Sequence, residues 1–218
     1  MSDPTASANS AWAAVKKTFP ETPAKGPCIP CAARKKNPVG QKWQSDAAKV
    51  FPGHQSYNDC GLQASRQVVE QAKGKFDMSE RQFMNNAIAT CTVDADGGSS
   101  ALDRQCVMQQ YGVHSTIEDA SLANVDAALR EGKGVIVMAD SKTLWALGMQ
   151  DVAPQIGVPH AVLLTNGIYD STGKMTGVDV NDTGTGTRYA LSSDDLATAL
   201  ASSTKRMNVT DNPIWPSN

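Results

Sequence analysis

A change of hydrophobic period near the middle constrains this chain more than any other feature. From Asn58 to Glu131 apolar residues recur at helical spacing, and from Val135 onward they fall into short continuous or alternating runs. Leu62, Val68, Val69 and Ala72 share one helical face, with Asn58 or Asp59 as N-cap and Gly74 as the stop after Lys73. The same spacing predicts helices over 79–90, 100–111 and 121–131. A short strand is expected to begin near His114. Residues 135–138 read as a buried strand, 160–168 as a longer one, 170–173 as a turn and 175–181 as the returning hairpin arm. A glycine-rich loop over 183–187 and a closing helix over 194–201 follow. Helices first and an antiparallel sheet second make an α+β domain, with an early helix packed against the later sheet.

Composition excludes several classes. The chain has 218 residues, 40% of them hydrophobic, and a formal charge of −2. A nearly neutral balance offers no electrostatic footprint for nucleic acid. The apolar runs at 135–138 and 161–164 are far too short to span a membrane. Residues 1–10 lack the basic start and apolar stretch of a secretory signal, so export by that route is not expected. Residues 1–50 stand apart, with prolines at 4, 20, 23, 27, 30 and 38, and read as a Pro-rich arm or linker before a domain spanning 51–218.

Five cysteines are an odd number in a chain too long for a disulfide scaffold, so reduced thiols are expected, one of them reactive. Cys91 and Cys106 lie in helical patterns and read as buried core thiols. Cys28-Ile29-Pro30-Cys31 lacks a second ligand pair at zinc spacing, so a linker or small disulfide is preferred to a metal site. Gly184-Thr185-Gly186 has no following lysine and no strand-loop-helix context, so no phosphate cradle is expected. Neither a metal nor a cofactor is implied.

Cys60 sits where a loop becomes a helix. There its sulfur faces unpaired N–H groups and the positive end of the helix dipole, both of which favour thiolate. His160 opens an apolar strand, a rigid mount for a general base, whereas His54 lies in a polar loop. A third group must orient the imidazole, and Asn181 or Asp182, at the end of the hairpin arm, would reach it. Gln55 offers a side-chain amide to an oxyanion, with the Cys60 backbone N–H as second donor. Together these residues describe covalent thiol catalysis.

The segments Gln55–Gln63 (QSYNDCGLQ), 159–167 (PHAVLLTNG) and 178–186 (VDVNDTGTG) resemble the papain-like cysteine peptidases, in particular the bacteriocin-processing, double-glycine-leader type. The resemblance covers about residues 50–202. It implies a papain-like fold, a Cys60 nucleophile, a His160 base, Asp182 as orienting residue and Gln55 at the oxyanion hole. Thr183 departs from the family, which usually has proline there, and this leaves Asn181 and Asp182 both open. A domain of this kind behind a Pro-rich arm also resembles the toxin modules of interbacterial effectors. That likeness implies a protein or peptide substrate, a cognate immunity protein, delivery by a specialised secretion system and action in the target-cell cytoplasm. Deamidation or transglutamination would use the same acyl-thioester, and a non-catalytic papain-like binding module is the remaining alternative.

Overall fold

The computed structural model describes residues 55, 59–74, 78–94, 97–148 and 157–215. The expected arm over 1–50, Cys28, Cys31 and His54 lie outside the described residues. Three helices come first: α1 (Cys60–Lys73), α2 (Glu80–Thr90) and α3 (Ala101–Gln110). Each has a local reason to start or stop. Gly74 adopts the left-handed conformation (φ 65°) and returns its N–H to the Glu70 carbonyl, closing α1. Ser79 with Gln82, and Ser100 with Asp103, form reciprocal capping boxes at the starts of α2 and α3.

The remaining elements are β1 (Ser115–Asp119), α4 (Leu122–Arg130), β2 (Val135–Asp140), α5 (Ser141–Gly148), β3 (Pro159–Tyr169), β4 (Met175–Asp182), β5 (Thr187–Ser192), α6 (Ser193–Ala201) and β6 (Arg206–Thr210). The strands form one six-stranded sheet in the order β1-β6-β2-β3-β4-β5, and every neighbouring pair is antiparallel. The α+β layout read from the sequence is therefore the one observed. Elements absent from that reading are α5, β5 and β6.

Continuous apolar runs in β2 and β3 follow from burial on both faces. Val135, Val137, Ala139, Val162 and Leu164 enter one core with Val125, Leu129, Leu144 and Leu196. Ile136, Ala161 and Leu163 enter a second core with Leu62, Val68, Phe83 and Val107. The sheet is thus a central layer, with α1–α3 on one side and α4–α6 on the other. Leu163, fully buried at the middle, contributes on the order of 2 kcal/mol by burial alone.

One expectation is overturned. Cys91 and Cys106 are joined in a disulfide, with Cα atoms 6.1 Å apart, and are not reduced core thiols. Cys91 is the C-cap of α2 and Cys106 lies in α3. Their helical patterns, read one at a time, concealed the fold-back that brings the two sulfurs together.

Candidate active site

Cys60 is the first residue of α1 and Asp59 is its N-cap. The Asp59 side chain caps no backbone group; instead Gln63 Nε2 donates to its Oδ2 at 2.6 Å. Burial first, and then the neighbouring Glu80, hold the Asp59 carboxyl well above its usual range. Gly61 is required by close packing: a Cβ there would stand 2.3 Å from Ser99 Oγ and 3.2 Å from Arg104 Cδ.

The β3–β4 hairpin supplies the other groups. Its antiparallel register places Leu163 opposite Asn181, so the start of β3 and the end of β4 lie side by side. His160 Nε2 and Asp182 Oδ1 are 2.8 Å apart. The ring also acts on Cys60, lowering its thiol, and with Nε2 committed to Asp182 the nitrogen left for sulfur is Nδ1. The Ala161 N–H donates to Cys60 Sγ at 3.3 Å, so the strand that carries His160 also holds the Cys60 sulfur. Residues a hundred positions apart in sequence meet at one point.

Asp182, rather than Asn181, is the residue in contact with the imidazole. Its Oδ2 accepts from Trp145 Nε1 at 2.6 Å and Tyr189 Oη at 2.9 Å, and its Oδ1 accepts from the backbone N–H groups of Gly184 (2.8 Å) and Thr185 (3.2 Å). Asn181 Nδ2 donates instead to Gln67 Oε1 on α1, at 3.2 Å. Adjacent residues of a strand point to opposite faces, and only one of these two reaches the histidine. Trp145 further packs edge-on against the His160 ring, with centroids 5.4 Å apart. A Cβ on Gly184 would sit 2.7 Å from His160 Cε1, which explains the glycine.

The charges are consistent with an ion pair. Burial alone would raise the Cys60 thiol, but the His160 hydrogen bond and charge, the Ala161 N–H and the Arg104 charge bring it below its ordinary value. Burial alone would lower His160, but the Asp182 carboxylate and its hydrogen bond, with Cys60, raise it to about 10. Asp182 is held low against its own burial by His160, Trp145 and Tyr189. This arrangement favours thiolate facing imidazolium.

Gln55 is buried against the loop after β4. Its backbone N–H donates to the Thr183 carbonyl at 2.8 Å, and Thr183 Oγ1 donates to its Oε1 at 2.7 Å. The departure at Thr183 therefore has a structural role: a hydroxyl fixes the orientation of the Gln55 amide. His114 is exposed, its carbonyl accepting from the Asp211 N–H, away from the site. Sequence reasoning missed Trp145, Tyr189 and Arg104. Among the described residues, no cluster of His, Cys, Asp and Glu fits a metal ion, and no helix is long and apolar enough to cross a membrane.

No protein-family profile matches the chain. Uncharacterized proteins of Mycobacterium tuberculosis and Mycobacterium bovis are each 27% identical to it over 169 residues, covering 65% of this chain and 71% of theirs. Among solved structures, a Bacillus anthracis protein provisionally described as a C39-like peptidase is similar with a TM-score of 0.47 and 8% identity. That match covers 75% of this chain and 96% of the neighbour. None of these similarities bears on a toxin role, a delivery system or an immunity protein.

Proposed function

We propose that the protein is a papain-like cysteine peptidase acting on protein or peptide substrates. The observation that carries this reading is the contact chain Cys60–His160–Asp182, in which a thiol at a helix N-terminus meets an imidazole fixed by a buried carboxylate. The Cys60 thiolate attacks the scissile carbonyl carbon, and the developing oxyanion takes hydrogen bonds from the Gln55 amide and the Cys60 backbone N–H. His160, already protonated, delivers its proton to the departing amine as the C–N bond breaks. Water then attacks the thioester, gives a proton back to His160, and releases the acid and the thiolate. Asp182 keeps one imidazole nitrogen occupied, so the other always faces the sulfur.

The Cys91–Cys106 disulfide favours maturation in an oxidising compartment, which suits an exported protein. Antagonistic action inside a target cell, with a cognate immunity protein, belongs to this proposal on the sequence resemblance alone.

The test compares wild type with Cys60→Ala on a denatured bacterial proteome, reading new N-termini by mass spectrometry. Cleavage by wild type alone is expected. Intact substrates that gain only the mass of amide-to-acid conversion would reassign the same site to deamidation, and cleavage retained in Cys60→Ala would overturn the nucleophile.

A further inference from the structure

Arg104 is a charged residue buried beside the nucleophile that the peptidase mechanism above does not use. It lies in the first turn of α3 and is 1% exposed. Its Nε donates to Asn208 Oδ1 at 2.8 Å, and its Nη1 donates to the Ser99 carbonyl at 3.1 Å and approaches Met138 Sδ at 3.5 Å. Asn208, on β6, is itself held by its Nδ2 donating to the Ala101 carbonyl at 2.8 Å. The guanidinium is therefore pinned between α3 and β6, with neutral partners only.

A buried cation is costly unless an opposite charge compensates it. Among the described residues no carboxylate lies within ion-pair distance of Arg104. The neighbouring Asp103 directs its carboxylate at Thr92 Oγ1 (2.5 Å) and the Ser100 N–H (2.7 Å), and reaches Arg104 only at longer range. The group next to the guanidinium on the α1 side is the backbone at Gly61. A Cβ on Gly61 would meet Arg104 Cδ at 3.2 Å and Nη1 at 3.3 Å, so the guanidinium rests against the residue that follows Cys60.

We propose that Arg104 is a positioning residue for the nucleophile, a permanent cation set beside the α1 N-terminus that stabilises the Cys60 thiolate whatever the protonation state of His160. The inference rests on Cys60 being the nucleophile. Burial pulls the guanidinium down to about 10, opposed first by the Cys60 charge and then by Asp103, so it stays charged at neutral pH. The two cations divide the work. His160 must give up its proton to the leaving amine, and at that moment its charge is lost. Arg104 transfers no proton in this cycle, so its field persists into the second half. There it favours expulsion of the sulfur as thiolate when the second tetrahedral intermediate collapses.

Among the described residues, five charged or titratable groups bear on the sulfur from the packed elements: His160 on β3, Asp182 behind it on β4, Arg104 on α3, Asp59 ahead of α1, and Glu80 on α2 behind Asp59. Among the described residues, Arg104 and His160 are the two that lower the thiol through charge.

The experiment is the pH profile of Cys60 alkylation by iodoacetamide, read by mass spectrometry of the Cys60 peptide. It is run on wild type, R104K, R104Q, R104M, H160A and the H160A/R104Q double variant. The midpoint is expected to rise in the order wild type, R104K, R104M, with about tenfold slower labelling on the acid side for each pH unit of rise. H160A should retain part of the acidity and H160A/R104Q should lose it. R104Q keeps a donor for Asn208 without the charge, so it answers the question if R104M does not fold. A folded R104Q with the wild-type midpoint overturns the inference while leaving the nucleophile in place. A wild-type Cys60 that titrates like an ordinary thiol overturns the peptidase reading itself.

Discussion

Trp145 donates its indole N–H to one oxygen of Asp182 at 2.6 Å while His160 holds the other at 2.8 Å. An indole from the short helix α5 thus fixes the carboxylate that fixes the base. Replacing Asp182 with Asn keeps the shape but leaves an amide that cannot satisfy both a ring N–H and an indole N–H. A kcat loss of up to about 10⁴-fold is expected. Asn181→Ala breaks the contact to Gln67 and should cost about 1 kcal/mol of stability with kcat nearly intact. Steady-state kinetics and urea titration of both variants check the contrast.

The ionisation shifts set a pH window. His160 titrates above its ordinary value of 6.5, so its imidazolium contributes fully to stability below that value and the contribution is lost as pH rises through about 10. Asp182 is shifted downward, so its contribution is present above its ordinary value of 3.8 and is lost as pH falls through the folded value. Urea midpoints measured against pH should decline from about pH 6.5 towards about pH 10 in wild type. In His160→Gln that decline should vanish.

Thr183 should matter for turnover rather than binding. Thr183→Val removes the hydroxyl that orients the Gln55 carboxamide, and a kcat loss of about fivefold is expected, equivalent to one hydrogen bond of about 1 kcal/mol. Thr183→Ser should restore most of it, with KM unchanged throughout. In a Gln55→Ala background the Thr183→Val effect should disappear, since the group it acts through is gone. An undiminished effect there would separate Thr183 from Gln55.

Removing the disulfide should weaken the fold without altering the chemistry. Cys91 and Cys106 close a loop with a sequence separation of 15, for which chain entropy predicts about 3 kcal/mol. A Cys91→Ser/Cys106→Ser variant should lose that much in urea titration and keep its kcat per folded molecule.

Much of this arrangement could be read from the chain because it depends on local rules. Gly74 stops α1, Ser79 and Ser100 start α2 and α3, and the turn after Asp170 folds β4 back on β3. Register then carries Asp182 to His160. The elements that were missed have no such signature. β6 (Arg206–Thr210) is a short, mostly polar run, yet it is inserted between β1 and β2, where Asn208 and Thr210 are buried by neighbours no local pattern reveals. Trp145, Tyr189 and Arg104 escaped for the same reason. Each acts on the site through a contact made only when separate elements pack together, as with the pairing of Cys91 and Cys106.

The central position of the sheet has a consequence for how this molecule would fail. Cys60 is packed with the helices on one side of the strands, and Trp145 and Asp182 belong to the opposite side. Loosening either half would pull the sulfur and its base out of alignment before the rest of the chain came apart. Turnover therefore acts as an early gauge of damage to both halves, lost on heating or in mild denaturant while most of the backbone remains ordered.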